Sequence, residues 1–294
     1  MNKLKEIIEA IKNKDLSKLE ELLLGVENKV ALLETKDKNR YTLLSYAATL
    51  GNAEVIKALL LDIPQKKQEE LLQAKDDDGN TPLHYAASRE NSEVLEELLS
   101  DIPLEKKGRL LEAENNNKST PLHCAASRKN SKVSEALLSD IPLEKKGRLL
   151  EAKDSKGNTP LHCAASRENS KVSEELLSGI PLEKKKKLLE AKNNKGNTPL
   201  HCAASRENSK VLEELLSGLE AKDNLKFLNA KNNDGDTPLK YAVDNKNAQI
   251  PDLLIDILGK YNTESIINNE KAKEHCNELQ SKFCLLYTSD AADD

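Results

Sequence analysis

The octapeptide TPLHCAAS fills Thr120–Ser127 and returns unchanged at Thr159–Ser166 and Thr198–Ser205, with TPLHYAAS at Thr81–Ser88. Weaker forms, TLLSYAAT from Thr42 and TPLKYAVD from Thr237, extend the row, so a threonine recurs every 39 residues from 42 to 237. A fixed period of this length marks a solenoid, in which each unit buries its apolar face only against its neighbours. The modules run 36–74, 75–113, 114–152, 153–191, 192–230 and 231–269. An N-terminal capping helical pair (1–35) and a C-terminal helical cap (270–283) are expected to flank them.

Within a module the residue types dictate two helices. Thr81 suits an N-cap, and Pro82 suits the first helical position, where its missing N–H costs nothing. Leu83 faces the stack, and Ala86 and Ala87 let neighbouring helices approach closely. Val94, Leu95, Leu98 and Leu99 form one apolar stripe of a second helix, leaving Glu93, Glu96 and Glu97 to solvent; Val211, Leu212, Leu215 and Leu216 repeat the stripe. Gly79, Gly157, Gly196 and Gly235 stand two residues before their threonines, where a tight turn needs positive φ. Arg40 and Lys118 replace glycine there, so those two tips are expected to be less regular.

The repeated TPLHxAA core followed by a Val/Leu helix resembles the ankyrin-repeat family. The resemblance implies an all-α ankyrin-type solenoid of helix pairs with projecting hairpin loops, and a His that ties hairpin to helix. The period exceeds the family's length of about 33 residues. The excess falls in SDIPLEKKGRLLEA (Ser100 to Ala113), where Pro103 suits a first helical position and Leu104, Leu110 and Leu111 share a face, predicting an extra short helix. Glu90, Lys129, Glu168 and Glu207 replace the family's inter-helix Gly, so Asn91, Asn130, Asn169 and Asn208 are expected to take the left-handed turn. Ser92, Ser131, Ser170 and Ser209 would then cap the second helix. Ser134 and Ser173 replace apolar residues and should soften their modules.

Composition narrows the function. The chain has 294 residues, 3% aromatic and no Trp, which argues against a large aromatic-lined catalytic cleft. A net charge of −5 gives no basic excess for nucleic acid. The start, MNKLKEIIEAIKNK, is too charged for a signal peptide or a membrane span, and five Cys are sparse for a disulfide scaffold. A cytoplasmic protein is expected; a bacterial chain delivered into a host cytosol without a signal peptide would read the same. The tail from Cys284 to Asp293, CLLYTSDAAD, matches the translation of TGTCTCTTATACACATCTGACGCTGCCGAC, a transposase mosaic-end adapter. Residues 284–294 are therefore read as adapter-derived, and the natural chain is expected to be able to continue past Phe283.

His123–Cys124, His162–Cys163 and His201–Cys202 superficially suggest metal ligands or nucleophile pairs. They recur once per module, roughly 10 Å apart in stacked helices, whereas zinc ligands come in close pairs, so no metal, cofactor or catalytic set is expected. The thiols should be free for the same reason. The basic runs Lys106 to Arg109, Lys145 to Arg148 and Lys184 to Lys187 follow Glu105, Glu144 and Glu183 and read as a solvated edge.

In ankyrin arrays partners lie against the hairpin tips and the C-terminal ends of the first helices. The resemblance thereby points to Ser88 and Arg89, Ser127 and Arg128, Ser166 and Arg167, Ser205 and Arg206. An arginine ladder suits an acidic or extended polar peptide of another protein. The expected protein is a monomeric, non-enzymatic interaction module with neither nucleic acid nor membrane as partner. Two rivals are a targeting region of a larger effector or enzyme whose catalytic domain follows residue 283, and a spacer without a specific partner.

Overall fold

The computed structural model describes residues 2–89, 91–167, 170–205, 209–238, 240 and 241. Expectations that fall on Glu90, Glu168, Asn169, Arg206, Glu207, Asn208 or the chain beyond 241, including the cap at 270–283 and the tail at 284–294, lie outside the described residues. Among the described residues there are eighteen α-helices and no strand.

Three rows of helices run along the array. The first-helix row comprises α1 (Asn2–Lys12), α4 (Leu43–Leu50), α7 (Pro82–Ala87), α10 (Pro121–Ala126), α13 (Pro160–Ala165) and α16 (Pro199–Ala204). The second comprises α2 (Leu16–Leu24), α5 (Ala53–Leu60), α8 (Ser92–Leu99), α11 (Ser131–Leu138), α14 (Ser170–Leu177) and α17 (Ser209–Leu216). The third comprises α3 (Lys29–Glu34), α6 (Gln65–Leu72), α9 (Leu104–Leu111), α12 (Leu143–Glu151), α15 (Leu182–Glu190) and α18 (Ala221–Leu228). Helices pack on their counterparts in the next module, as α7 on α10, α8 on α11 and α12 on α15. Residues 1–35 hold three helices where a pair was expected; α1, α2 and α3 pack on α4, α5 and α6.

The core follows the apolar pattern. Leu83, Ala86 and Ala87 of α7, Val94, Leu95, Leu98 and Leu99 of α8, and Leu110 and Leu111 of α9 are all buried. Each buried Leu or Val contributes about 1.5–3 kcal/mol relative to exposure, which outweighs the poor intrinsic stability of six- to eight-residue helices.

The extra helix after each pair is present, with two differences in detail. Pro103 is the N-cap of α9, one residue before the helix begins, and Leu104 is 39% exposed, leaving Leu110 and Leu111 as the buried face. The inter-helix turn also differs from expectation. Gly51 takes the left-handed conformation (φ 69°), but Asn91 and Asn130 are extended (φ −121° and −94°). Their side chains cap α8 and α11 by accepting from the Glu93 and Lys132 amides, so Ser92 and Ser131 are first helical residues. Asn52 holds the same place in the module 36–74, extended (φ −113°) and capping α5 right after left-handed Gly51, so the Asn position is the N-cap of the second helix and not the turn residue.

Ser134 and Ser173 are fully buried at the positions held by Ile56, Leu95 and Leu212 in other modules. Their hydroxyls find no hydrogen-bond partner. An unsatisfied buried hydroxyl costs about 1–3 kcal/mol, in the direction expected for softened modules.

Candidate functional site

The hairpins are built from an Asx turn repeated module after module. Asp76 Oδ1 accepts the amides of Asp78 (3.0 Å) and Asn80 (2.8 Å), and the Gly79 amide closes the turn on the Asp76 carbonyl at 3.1 Å. Asn115, Asp154, Asn193 and Asn232 repeat the arrangement. At Gly157 (φ 74°) a Cβ would also meet the Asn194 amide nitrogen at 2.8 Å, because adjacent hairpins are joined by backbone bonds such as Asn194 N–H to Lys156 O, 3.0 Å. The tips expected to be irregular keep the same bonds: Arg40 (φ 61°) and Lys118 (φ 55°) enter the left-handed region and donate to Asp37 O (3.0 Å) and Asn115 O (2.8 Å). The Asx bonds of Asp37 and Asn115 within each hairpin hold the turn, at the steric cost a side chain carries there.

The hairpins at Asn115, Asp154, Asn193 and Asn232 are each fastened to the helix of the module before by histidine; Ser45 stands at that position in the module 36–74. The Thr81 amide donates to His84 Nδ1 at 3.2 Å, which fixes Nδ1 as an acceptor and places the ring proton on Nε2. Nε2 then donates to the Ser119 carbonyl of the next hairpin at 2.8 Å. His123, His162 and His201 make the same pair of bonds, ending on Asn158, Asn197 and Asp236 carbonyls at 2.9–3.0 Å. Burial pushes all four pKa values down, to about 4 at His84 and His162. The structural role implied by the resemblance is thus the geometry observed.

At the C-terminal ends of the first helices, Ser88, Ser127 and Ser166 are half-buried and donate to the His84, His123 and His162 carbonyls, and Ser205 donates to Cys202 O. Arg89, Arg128 and Arg167 follow them and are exposed. Arg89 and Arg128 form no ion pair among the described residues; Arg206 lies outside them. Ser127, Ser166 and Arg167 come together in a cleft of about 460 Å³ under the hairpin of Asp154, whereas Ser88, Arg89, Arg128 and Ser205 are not in its walls.

The floor of the groove carries a feature that the motif reading passed over. Four residues after each threonine stands Tyr46, Tyr85, Cys124, Cys163, Cys202 or Tyr241. Tyr46 donates to Asp37 Oδ2 at 2.6 Å, and Tyr85 hydrogen-bonds Asp76 and, at 2.8 Å, the Tyr41 hydroxyl. Burial, reinforced by Asp37, pushes the Tyr46 phenol up to about 12. The Tyr41 ring lies between those of Tyr46 and Tyr85, its centroid 5.5 Å from that of Tyr46 and 5.3 Å from that of Tyr85. At Cys163 the space is open, as part of a cleft of about 460 Å³. Alternation of Tyr and Cys at one offset was the available signal.

Cys124, Cys163 and Cys202 are free thiols, and burial pushes Cys163 up to about 12, the opposite of what a nucleophile needs. Among the described residues, no three His, Cys, Asp or Glu side chains are grouped to hold a metal ion.

The basic edge is a correction to the solvated reading. Lys185 is buried, and its Nζ donates to the carbonyls of Glu214 (3.2 Å) and Ser217 (2.8 Å) at the end of α17. Lys146 reaches Ser178 O at 2.6 Å, and Lys29 reaches Ala58 and Leu61 carbonyls at 2.9 and 2.7 Å. A cation at a helix C-terminus satisfies its orphan carbonyls and its dipole, while burial lowers the pKa of all three lysines. Lys106 pairs with Glu69, Lys184 with Glu151 and Lys186 with Asp223, each across a module boundary. Arg109 and Lys187 remain exposed.

The family model for ankyrin repeats (3 copies) matches residues 7–109, 106–186 and 182–265. The chain belongs to the ankyrin-repeat family. Among solved structures, the ankyrin repeat domain of Bcl-3, described as a unique member of the IκB protein family, superposes with TM-score 0.61 at 23% identity, covering 85% of this chain and 97% of that one. The human ASB11 ankyrin repeat domain does so with TM-score 0.62 at 22% identity, covering 85% and 96%. These likenesses show the fold. A search of curated proteins found no match. Ankyrin repeat domains are in general protein–protein interaction modules without catalytic activity of their own. Among the described residues, no helix is long and apolar enough to cross a membrane.

Proposed function

We propose that this array is a non-catalytic, monomeric, cytoplasmic module that holds an extended acidic segment of another protein along the groove between its hairpins and the ends of its first helices. The contacts are assigned to Ser88, Arg89, Ser127, Arg128, Ser166, Arg167, Ser205 and Arg206. One observation carries the reading: Arg89, Arg128 and Arg167 stand exposed at the same offset in successive modules, and the hairpins above the central ones expose Lys118, Lys156 and Lys195. A planar guanidinium every module suits carboxylates spaced along an extended strand.

The test is titration of a fluorescent polyglutamate peptide into the full chain. Arg128→Ala and Arg167→Ala should each weaken binding by about 1–3 kcal/mol and flatten its salt dependence, with Arg89→Ala costing less. The control pair is Arg109→Ala with Lys187→Ala, since Lys185 and Lys186 hold modules together. If the control pair weakens binding and the groove variants do not, the interface lies on the basic edge.

A further inference from the structure

In the six modules whose hairpin and floor residues are both described, aspartate stands above tyrosine twice, asparagine above cysteine twice, and two modules mix the pairs. Tyr46 stands under Asp37 and Tyr85 under Asp76, each phenol hydrogen-bonded to the carboxylate, and Tyr241 under Asn232 accepts from its Nδ2 at 3.2 Å. Where the floor residue is Cys124 or Cys202, the hairpin residue is Asn115 or Asn193. Their Nδ2 groups donate along the array to Asn80 Oδ1 and Asn158 Oδ1, both at 2.8 Å, as Asn232 Nδ2 also does to Asn197 Oδ1 at 2.9 Å. Of the two mixed modules, 231–269 sets Asn232 above Tyr241, and 153–191 sets an aspartate, Asp154, above a cysteine, Cys163.

Asp154 therefore keeps the carboxylate of a tyrosine module and has lost the tyrosine. Its Oδ1 accepts the amides of Lys156 (2.9 Å) and Asn158 (2.8 Å), as in every hairpin of this type. Its Oδ2, the atom to which Tyr46 donates in the Asp37 module, accepts a 3.2 Å bond from the side-chain Nδ2 of Asn158 in its own loop. The 460 Å³ cleft lies at this module, with Asp154 and Cys163 among its walls beside Ser127, Ser166 and Arg167. Ligand-binding clefts commonly run from about 300 to 1,000 Å³, so one aromatic side chain fits easily.

We propose that this cleft is a subsite for a tyrosine side chain of the bound protein segment. The phenol ring lies in the space over Cys163, and its hydroxyl donates to Asp154 Oδ2, reproducing from outside the contact that Tyr46 makes with Asp37 from within. Arg167 at the wall holds the adjoining acidic part of the same segment. The inference rests on the groove reading above and adds to it one residue type at one module. No covalent step is involved.

N-acetyl-tyrosinamide and N-acetyl-phenylalaninamide, titrated into the full-length protein and followed by amide chemical shifts, test it. The tyrosine amide should move residues 154–167 in a saturable way and bind at least about five-fold tighter than the phenylalanine amide, since the two differ only by the hydroxyl aimed at a carboxylate. Asp154→Asn, which keeps the hairpin as Asn115 and Asn193 do, should bring the two affinities together. Cys163→Tyr should fill the space, raise Tm and abolish the shifts. Equal affinity of the two amides for the wild type, shifts confined to other modules, or undiminished binding to Cys163→Tyr would each overturn the subsite. Polyglutamate binding retained alongside any of those outcomes would leave the groove reading standing; loss of the arginine dependence with tyrosine amide binding intact would do the reverse.

Discussion

The modules at 114–152 and 153–191 and those before them at 36–74 and 75–113 share a helix order and a hairpin, yet differ at two positions that face opposite ways. On the groove floor, Tyr46 and Tyr85 give way to Cys124 and Cys163; in the core, Ile56 and Leu95 give way to Ser134 and Ser173. The first exchange removes a ring that bonds the hairpin, and the second leaves a buried hydroxyl without a partner. The N-terminal pair bonds its floor residue to the hairpin and fills this core position with an apolar side chain; the central pair does neither. Binding surfaces are drawn from the less stable parts of a fold, and here both exchanges occur together in these two modules, whereas the module 192–230 combines Cys202 with a filled core at Leu212.

Acid should have the largest effect, by protonating the buried histidines that tie the modules 75–113, 114–152, 153–191 and 192–230 to the next hairpin; the module 36–74, with Ser45 there, has none to lose. The folded pKa values of His84 and His162 are pushed to about 4, below the ordinary 6.5. The unfolded chain therefore takes up protons first, so stability is full above pH 6.5 and is lost as the pH falls through the window from 6.5 to 4. Roughly 3 kcal/mol should go at each of these two histidines, with further losses at His123 and His201. Urea denaturation at pH 7.5 and pH 4.5 measures it; an unchanged midpoint would mean that the imidazoles are not buried as described.

Moving the core exchange into the N-terminal pair should break the comparison from the other side. Leu95→Ser should cost about 3–5 kcal/mol, the cavity and the stranded hydroxyl acting together. Ser134→Leu should return about 1–2 kcal/mol, less than the reverse because its surroundings are packed around a small side chain. A Ser134→Leu variant less stable than the wild type would show that the central core has already collapsed around serine. The smallest effect concerns the hairpins: Lys118→Gly should raise stability by about 0.5–1 kcal/mol, relieving the left-handed strain while loosening the unfolded chain, with Tm as the readout.

The repeat core, the Thr-Pro helix start, the glycine turns and the third helix were legible because each is a local rule read at a fixed offset. Leu104 went astray since its position in the pattern suited a buried face, but a residue in the first turn after Pro103 sits at the rim of the module. The lysine staples were hidden for a different reason. Lys146 and Lys185 lie in runs that look like solvated charge, and only the stacking of α12 and α15 on their neighbours brings the ends of α14 and α17 within reach of their Nζ atoms. For the candidate site, the arginine offset could be read directly. The open floor could not be read from the motif alone, since TPLHYAAS and TPLHCAAS match it equally; its meaning came from the hairpin residue above.

The joints between modules end, for the most part, on main-chain oxygen. His84 meets the carbonyl of a serine, His123 and His162 those of asparagines and His201 that of an aspartate, while Lys29, Lys146 and Lys185 likewise take carbonyls at the ends of helices. A carbonyl is present whatever the residue, so these couplings place no demand on the identity of the side chain they meet. They work as a standard fitting: a unit of 39 residues can be copied, dropped or exchanged for a neighbour and still find its histidine and lysine acceptors one period further on. The array is thereby free to vary in length and in the order of its open and closed units.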